Sequence, residues 1–556
     1  MDVASGFDYV VVGGGTAGCA LAARLSEDPR RTVCLLEAGG NGRSPLVSIP
    51  AAVAVVQRST TLNWRFQSTP QSQLNDRRIS IPRGRGLGGS ALINGMVYFR
   101  GHPQDYNAWS AAGAKGWGYP EVLPYFRKSE NNENFAPDIY HGGGGPMNVR
   151  TVTRPNPLNF AFLDALTSLG YPRTTDPNGA DSEGASLRQV SIRNGKRETT
   201  ASALLRPALA RENLTVLTGT RALLVVLEGK RAVAVSARSA SGDLTVKAHR
   251  EVVLAAGAIQ SPQLLMISGI GDGRDLTALG IQVKHDLPGV GRNLHDHLAS
   301  PVHMRTHSSV PYGISLRAMP RNLWNIVEYL LVRRGPMANN IFESAAFLKS
   351  DPGLDRPDVQ LVFQPAKRPG PSFPYPLGHG FAISPVGLYP KSRGRLTLAS
   401  PDPLAAPLID PNLLSDPSDL APLMFGMRLA RRVFASTAFA AYQAGESAPG
   451  CALQSDAELA DYVRAQAYTV HHPVGTCRMG GDSGAVVDPA LRVRGIENLR
   501  VADASVFPSI IGGNTNAAIV MIAEKASDLI LGRPLLPPDS FDSTPNLNAP
   551  TTRSSS

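Results

Sequence analysis

Cysteine is scarce in this chain of 556 residues, which contains only four. They are Cys19, Cys34, Cys451 and Cys477. So few thiols in so long a chain argue against a fold held together by disulfide bonds. The same scarcity is typical of proteins from a reducing compartment, so we expect a cytoplasmic protein.

Long apolar runs and clustered positive charge are also missing. No run approaches the roughly 18 residues of a membrane-spanning helix, and the first residues lead into a strand-like segment rather than a signal peptide. The net charge is +10, but no four basic residues are consecutive. Dispersed charge is typical of a solvated surface, so we expect no nucleic-acid partner. A peripheral contact with the inner face of a membrane stays open.

The first motif that is present is a strand, a glycine turn and a helix, "FDYVVVGGGTAGCALAARL". Gly13, Gly15 and Gly18 match G-x-G-x-x-G, which permits a tight turn, close approach to a pyrophosphate and close helix–strand packing. A second buried strand ends at Glu37, where a carboxylate accepts hydrogen bonds from ribose hydroxyls and repels a 2′-phosphate. The sequence therefore predicts a dinucleotide site that disfavours NADP; the alternative is a glycine-rich turn that binds nothing.

A second glycine-rich loop follows in "IPRGRGLGGSALINGMVYFRG". Glycines at this density expose backbone amides and remove Cβ obstruction, as a loop alongside a large planar cofactor requires. The apolar run from Ala91 to Phe99 predicts that the loop is buried rather than a flexible surface segment.

The middle of the chain predicts a return to the first domain and then a second lobe. Residues 213–247 read as an antiparallel meander, including "LTVLTGT". A buried strand then turns through Gly257 into a helix capped by Ser261 and Pro262 and ending near Gly269. Residues 300–465 mix strand-like and helical pieces, which indicates a separate substrate-side lobe.

The C-terminal segment predicts a buried strand from Leu499 to Ala502 and a helix that begins near Asn514. Residues Asn514 to Asn516 supply N-capping groups, and the positive end of the helix can face a group that becomes anionic. Residues 536–556 are rich in Pro, Ser, Thr and Asn, so we expect a disordered tail.

Two adjacent histidines stand in "YTVHHPVGTCRMGG". His471, His472 and Cys477 could hold a metal, but adjacent side chains of an extended segment point to opposite faces, and no carboxylate is near in sequence. We therefore expect no metal site. The remaining hypotheses are a catalytic base and a pair of packed histidines.

Taken together, the motifs resemble the glucose–methanol–choline (GMC) oxidoreductase family, nearest to its bacterial choline dehydrogenase and aliphatic alcohol dehydrogenase branch. The matching segments are "YVVVGGGTAG", "GRGLGGSALING", "GAIQSPQLLMISGIG", "GVGRNLHDH", "HHPVGTCRMG" and "DASVFPSIIGGNTNAAIVMIAEK". The resemblance implies FAD as cofactor and oxidation of an alcohol to a carbonyl.

The implied fold is α/β: a Rossmann-like FAD-binding domain and a discontinuous substrate domain built on an antiparallel sheet with helices. We expect the FAD-binding domain in residues 1–155, 195–300 and 465–535. The substrate domain is expected in residues 156–194 and 301–464.

The resemblance also assigns site residues. His472, directly before the "PVGT" run, is the implied catalytic base, and Asn514 is its partner. The implied FAD contacts are Gly13, Gly15, Thr16, Ala17, Gly18, Glu37, Ala38, Arg85, Leu87, Gly88, Gly89, Ser90, Asn94, Gly95, Met96, Val97, Ala222, Asp503, Ala504, Asn514 and Thr515.

Two departures from the family pattern matter. Some relatives attach the flavin to a histidine where this chain has Ile93, so FAD is expected to be noncovalent. The usual hydroxyl pair in the glycine loop is Ser90 and Ala91 here.

The expected reaction is oxidation of a primary alcohol, with electrons passing to a quinone or other acceptor. An oxidase that uses O₂, a hydroxynitrile lyase and a non-catalytic flavoprotein are the alternatives. His471 and Glu343 are candidate substrate residues, and an aliphatic or aromatic alcohol is favoured over choline.

Overall fold

The computed structural model describes residues 6–367 and 377–540. Its longer helices, numbered α1 to α9, are Thr16–Leu25, Pro103–Ala111, Tyr119–Ser129, Leu158–Ser168, Gly257–Ile267, Met319–Val332, Leu420–Ala435, Asp456–Gln466 and Asn516–Leu531. Shorter helices span Pro45–Ser48, Val53–Val56, Arg206–Ala208 and Gly273–Ala278.

Three larger sheets contain most of the strands. In chain order, β1 to β19 are Phe7–Val12, Val33–Leu36, Val97–Tyr98, Glu130–Asn132, Met147–Thr151, Gly184–Leu187, Gln189–Val190, Leu214–Leu217, Arg221–Glu228, Arg231–Ser239, Gly242–Leu254, Leu298–Ala299, Val302–Arg305, Ser344–Leu348, Val359–Gln364, Gly380–Gly387, Glu446–Ala448, Tyr468–Thr469 and Leu499–Val501. Two-stranded ribbons pair Phe66–Gln67 with Ser80–Ile81, Ile192–Arg193 with Lys196–Arg197, Ile270–Gly271 with His285–Asp286, and Arg395–Thr397 with Leu408–Asp410.

The first sheet has seven strands in the order β8-β2-β1-β11-β10-β9, with β19 added beside β11. Strands β8, β2, β1, β11 and β19 run parallel, and all of β2 and most of β1 are buried, as expected for a sheet covered on both faces. The first half of the long strand β11 pairs antiparallel with β10 instead. The strand–turn–helix prediction and the return to this domain are therefore confirmed.

The details of this region differ from the sequence prediction at two points. Strand β8 does not join an antiparallel meander; it lies parallel to β2 at the edge of the sheet. Helix α5 begins at Gly257, so Ser261 and Pro262 lie within the helix rather than at its cap. The Ser261 hydroxyl accepts a hydrogen bond from the Ala256 amide and donates one to Asp503.

An eight-stranded sheet forms the second lobe, in the order β17-β13-β16-β15-β14-β6, with β12 pairing both β16 and β18. One face packs on α4 and α7 through an aromatic cluster that includes Phe363, Phe381 and Phe434. The other face carries Phe347, whose ring stacks on Phe99 at 4.2 Å. Strands β12 and β18 belong to this sheet although they lie just outside the ranges expected for the substrate domain; the domain division itself stays a prediction.

A four-stranded sheet, ordered β3-β7-β5-β4, is joined to the eight-stranded sheet because β7 follows β6 after one residue. The chain end also departs from the prediction of a tail disordered from residue 536. Leu536 donates its amide to the Tyr125 hydroxyl, and Asp539 forms an ion pair with Arg127, so residues 536–540 lie against α3. Residues 541–556 are outside the described part of the chain.

Candidate active site

Two glycine loops lie in direct contact along one wall of a large cavity. The Gly88 amide donates to the Gly14 carbonyl at 2.8 Å. A Cβ on Gly89 would stand 2.6 Å from the Gly15 Cα, and one on Gly84 would stand 2.0 Å from the Gly89 oxygen. Glycine is required at both positions because the backbones approach more closely than any side chain allows.

The Glu37 carboxylate joins these loops. It is buried and accepts hydrogen bonds from the amides of Gly14, Gly39 and Gly86 at 2.8, 2.6 and 2.9 Å. Burial raises the pKa of Glu37, and the three amide donors oppose that rise. The acid at the end of β2 therefore shapes the dinucleotide end of the cavity from both loops at once.

The cavity has a volume of about 1070 Å³ and runs from Gly13, Gly15 and Glu37 at one end to His472 and Asn514 at the other. This volume is at the upper limit of the roughly 300–1,000 Å³ usual for a small-molecule site. An extended cofactor with a substrate beside it suits a cavity of this size.

Most of the predicted site residues line this cavity, and a few do not. Those on its wall are Gly13, Gly15, Thr16, Ala17, Glu37, Ala38, Gly89, Ser90, Asn94, Gly95, Met96, Val97, Ala222, Asp503, Ala504, Asn514, Thr515, His471 and His472. Those outside it are Gly18, Arg85, Leu87, Gly88 and Glu343.

The residues outside the wall have structural roles that explain their position. A Cβ on Gly18 would lie 1.8 Å from the Gly13 carbonyl oxygen, so Gly18 serves helix–strand packing. The Arg85 guanidinium stacks over the Trp64 ring at 4.8 Å. Leu87 is buried, and its amide bonds to the Gly40 carbonyl.

Two helix N-termini meet at the cavity, which fits an anionic dinucleotide. Helices α1 and α9 begin at Thr16 and Asn516, both on the wall, and the Thr16 hydroxyl donates to the Asn516 side-chain oxygen at 2.9 Å. Each helix start directs unpaired amides and a partial positive charge at the space between them. Helix α9 begins two residues later than predicted, and no side chain caps it.

At the other end of the cavity, His472 lies between two polar side chains. Its Nε2 is 3.1 Å from the Asn514 Nδ2, and its Nδ1 is 3.0 Å from the Nδ1 of His297. The remaining nitrogen of His297, Nε2, is 3.0 Å from the carbonyl oxygen of Leu388.

These contacts determine which nitrogen of His472 carries the proton. A carbonyl only accepts, so neutral His297 donates from Nε2 to Leu388 and accepts at Nδ1. His472 must then donate from Nδ1 to His297, which leaves its Nε2 without a proton. The Asn514 amide donates to that Nε2. The lone pair of the neutral His472 imidazole therefore accepts from the Asn514 amide, and both groups lie on the cavity wall.

Asp296 fixes the backbone at His472 and His297. Its Oδ1 accepts from the amides of His472 at 2.7 Å and His297 at 2.8 Å. Burial raises the pKa of Asp296 to about 7. Burial also holds the pKa of His472 well below its usual 6.5, and neighbouring positive charge, including that of Arg83, lowers it further.

His471 and His472 both line the cavity, although successive side chains of an extended strand would point to opposite faces. His471 has a φ of 69°, in the left-handed region, so the alternation is broken there. The Arg83 guanidinium donates to the His471 carbonyl. Cys477 is fully buried and away from the wall, and no group of three metal-ligating side chains lies together in the described chain.

Glu343 does not line the cavity. Its carboxylate is buried away from the cavity and accepts hydrogen bonds from Asn159, Tyr312 and the Asn156 amide. Burial raises its pKa to about 7. Three protein donors engage this carboxylate away from the cavity, and a role of Glu343 towards the substrate stays a prediction.

The sequence reasoning missed Asp296, His297 and Arg188. The first two stand in "GVGRNLHDH", a segment matched to the family without a role for its side chains. A local excess of titratable residues in that motif was the available signal. Arg188 belongs to no motif, and its position on the cavity wall emerges only from the fold.

The whole chain resembles one family of flavoenzymes. Models of the GMC oxidoreductase family match residues 7–299 and 390–523. The alcohol dehydrogenase [acceptor] of Pseudomonas putida is 42% identical over 527 residues, covering 94% of this chain and 96% of the relative. The oxygen-dependent choline dehydrogenase of Rhizobium etli is 42% identical over 531 residues, covering 95% and 96%.

Solved structures give the same result. Pyridoxine 4-oxidase from Mesorbium loti has 34% identity and a TM-score of 0.85, covering 94% of this chain and 98% of its own. A fungal aryl-alcohol oxidase has 26% identity and a TM-score of 0.82, covering 95% and 99%. The chain therefore belongs to the GMC oxidoreductase family and is an FAD-dependent enzyme that acts on CH–OH donors.

Proposed function

We propose that the protein oxidises a primary alcohol to an aldehyde, with His472 as the general base. One observation carries this proposal: the unprotonated Nε2 of His472 and the Asn514 amide lie 3.1 Å apart on the cavity wall. An alcohol oxygen that replaces this hydrogen bond can donate its proton to Nε2 and accept a hydrogen bond from Asn514. No other group is needed to orient the hydroxyl.

The reaction removes a proton from oxygen and an electron pair with hydrogen from carbon. Bound FAD supplies the acceptor for the electron pair. His472 takes the proton, and its Nδ1–H remains bonded to His297, which keeps the ring orientation constant while the charge changes. Asn514 fixes the oxygen, so the α-carbon stays in one position relative to the cofactor.

The low pKa of His472 keeps its imidazole neutral before substrate binds. A neutral imidazole is the form that accepts a proton. Because burial is the largest cause of the shift, entry of water would weaken it, and exclusion of water preserves it.

We infer that FAD is held noncovalently. Ile93 lines the cavity and offers no nucleophile for a bond to the flavin. Precipitation with acid should release all the yellow chromophore into the supernatant. Retention of the colour on the protein would contradict this inference.

The charges near His472 disfavour choline as the substrate. Of the described residues, the acidic ones on the cavity wall are Glu37 and Asp503. Both carboxylates are engaged by protein donors, Asp503 by the Gly257 amide and the Ser261 hydroxyl at 2.7 and 2.6 Å. A quaternary ammonium group would therefore meet no carboxylate free to balance its charge.

To test the proposed activity, the holoenzyme is mixed under anaerobic conditions with a series of primary alcohols. We expect bleaching of the oxidised flavin absorbance and one equivalent of aldehyde. Absence of bleaching with every alcohol would contradict the proposal. Admitting O₂ or a quinone afterwards distinguishes the acceptor: peroxide formation at the full rate of turnover would identify an oxidase.

We further propose a peripheral contact with an anionic membrane through α6. This helix has its apolar side chains facing outward: Trp324 is 63% and Leu331 is 76% exposed. Asn322 and Tyr329 face the protein instead: Asn322 is bonded to the Gly313 carbonyl, and Tyr329 is buried. Exposed apolar surface of this extent on one helix indicates a binding face.

Positive charge around α6 identifies the partner. The acidic Glu328 is paired with Arg154. Four exposed arginines lie beside the apolar face or on it. They are Arg317, Arg321, Arg333 and Arg334. An apolar helical face with a basic rim is typical of a helix that lies in the headgroup region of an anionic bilayer. No described helix is long and apolar enough to cross a bilayer.

The position of α6 also favours a membrane quinone as acceptor. Ile341 and Phe342, which lie on the cavity wall, follow α6 within ten residues along the chain. Docking of α6 would bring this side of the cavity towards the bilayer.

Sedimentation with vesicles tests the contact. We expect the holoenzyme to bind vesicles of phosphatidylcholine and phosphatidylglycerol, less so at high salt, and Leu331→Glu to abolish binding. Phe160→Glu, at an exposed aromatic residue of α4, is the matched control and should bind normally. Unchanged binding by Leu331→Glu would overturn the proposal. A soluble dimer that Leu331→Glu dissociates would instead show that a second copy covers the face.

A further inference from the structure

Arg188 is a buried cation without a counter-ion on the cavity wall. Its side chain is 6% exposed in total, and it lines the same cavity as His472. The Nε and Nη2 atoms have no hydrogen-bond partner among residues 6–367 and 377–540. Burial of an unpaired charge is strongly unfavourable, so such a group indicates a missing anionic partner.

Glu343 is bonded to Arg188 through the main chain, but its carboxylate is directed elsewhere. The Arg188 amide donates to the Glu343 carbonyl, but the Glu343 carboxylate is bonded to Asn156, Asn159 and Tyr312. Burial lowers the pKa of Arg188 to about 9, which is still above neutral pH, so the guanidinium carries its charge. No acidic residue of the described chain balances it.

A second unpaired donor lies on the same sheet. The side-chain nitrogen of Gln360 is buried without a partner in the described structure, and Gln360 also lines the cavity. Gln360 lies opposite Phe347 in the pairing of β14 and β15, and Arg188 directly follows β6, the strand next to β14. This register places Gln360 four residues along the sheet and two strands away from Arg188, so the buried charge of Arg188, and not a pair of donors, indicates an anionic group.

Arg188 belongs to the substrate end of the cavity. It directly follows β6 of the eight-stranded sheet, whose Val362 and Val386 also line the wall, and directly precedes β7, which pairs with Val97 and Tyr98 at the end of the second glycine loop. Its positive charge is among those that lower the pKa of His472. A ligand anion on Arg188 would neutralise this charge and make His472 a stronger base at the same moment.

We propose that the enzyme binds alcohols that also carry a carboxylate, with Arg188 as the residue that holds that group. This inference rests on the proposed alcohol oxidation and specifies its substrate class. A guanidinium can hold a carboxylate through two parallel N–H bonds, which fixes the orientation of the substrate. The hydroxyl at the other end of the molecule is then presented to His472 and Asn514.

The kinetic test compares 6-hydroxyhexanoate with 1-hexanol in anaerobic reduction of the bound flavin. In the native enzyme we expect the hydroxy acid to have the higher second-order rate constant. Arg188→Met should lower that constant roughly 10²- to 10³-fold, whereas 1-hexanol should react at least as fast as before, because loss of the positive charge makes His472 a stronger base. Arg188→Lys, which keeps the charge but loses the paired geometry, should give an intermediate loss. Arg150→Met removes another partly buried arginine, one outside the cavity, and should change neither reaction.

A binding measurement that needs no turnover completes the test. Hexanoate should bind the native holoenzyme and perturb the flavin spectrum, and Arg188→Met should weaken this binding by a similar factor. Equal loss with both substrates, or an unchanged affinity for hexanoate, would overturn the subsite. An altered spectrum or lost FAD in ligand-free Arg188→Met would assign Arg188 to the cofactor and also overturn it. If no alcohol reduces even the native enzyme, the proposed function itself fails.

Discussion

At the scale of single residues, His297 lies between His472 and the main-chain carbonyl of Leu388. It must therefore accept one hydrogen bond and donate another. Glutamine can do both, since its oxygen accepts from the His472 Nδ1–H and its amide donates to Leu388. Leucine can do neither. We therefore expect His297→Gln to keep most of the rate of flavin reduction and His297→Leu to lose much of the roughly 10²–10⁴-fold contributed by a general base.

The dependence of this rate on pH separates a positioning role from a structural one. The leucine variant should show a displaced acidic limb, because the tautomer and charge of His472 are no longer set by His297. If both variants have the native rate and pH profile, His297 does not position the base.

The position of the acidic limb is itself a prediction. His472 acts as a base only when neutral, and burial holds its pKa well below 6.5. As pH falls, the second-order rate constant for flavin reduction should therefore stay constant through pH 6.5 and decline only below it. Stopped-flow reduction across acidic pH measures this directly. A decline centred above 6.5 would contradict the neutral, buried imidazole.

Substitution of Glu343 tests whether its carboxylate contacts the substrate. Glutamine can keep its oxygen on Asn156 and Asn159 and turn its amide towards the Tyr312 hydroxyl, which can accept. Glu343→Gln should therefore leave the kinetics with neutral alcohols and with choline unchanged. A large, selective loss with choline would identify Glu343 as a substrate residue.

Individual residues were predictable from the sequence where a short motif contains them. The segment ending in "PVGT" identified His472, and the start of the last helix identified Asn514. His297 and Arg188 reach the cavity from distant parts of the chain, so spacing carried no signal for them. The strand pattern predicted opposite faces for His471 and His472, but the left-handed backbone at His471 breaks this alternation and both line the cavity.

The glycine turn before α1 allows a prediction at the scale of an element. A Cβ on Gly15 would meet only atoms at 3.9 Å or beyond, whereas one on Gly18 would lie 1.8 Å from the Gly13 oxygen. Without cofactor, Gly15→Ala should thus have the same unfolding temperature as the native protein. It should bind FAD more weakly, since Gly15 faces the cavity. Gly18→Ala should unfold at a lower temperature even without FAD. Equal thermal stability of the two apoproteins would contradict this division.

Elements with strong local signals were predicted well. The buried runs that form β1 and β2 and the apolar face of α9 follow from hydrophobic pattern alone. Strand β8 was misassigned because its direction depends on β2, more than 170 residues earlier, and not on its own sequence. Helix α5 starts early because a buried strand leads into it at Gly257, and Pro262 is tolerated inside its first turns.

At the scale of the whole molecule, the cavity lies where the parallel sheet and the eight-stranded sheet meet. If the alcohol is oxidised in the cavity and the membrane contact is made by α6, a substitution in α6 should affect transfer to a membrane quinone and not alcohol oxidation. Leu331→Glu should reduce its flavin with alcohol at the native rate, because α6 is not part of the cavity. The same variant should transfer electrons slowly to a long-chain quinone in vesicles. Loss of the alcohol reaction, or normal transfer to the membrane quinone, would contradict the separation.

The arrangement of lobes was predictable from the order of motifs. That the apolar side of α6 is exposed to solvent was not. An amphipathic pattern gives the apolar side of a helix, and only packing shows that this side faces away from the protein. The sequence likewise placed 536–540 in a disordered tail, although these residues dock on α3 through Leu536 and Asp539.

The central claim is that His472 accepts the hydroxyl proton of a bound alcohol, and anaerobic stopped-flow reduction of FAD in His472→Ala tests it most directly. The variant should purify yellow with a full complement of FAD and be reduced roughly 10²–10⁴-fold more slowly than the native enzyme. Reduction at the native rate in a variant with bound FAD would contradict the account.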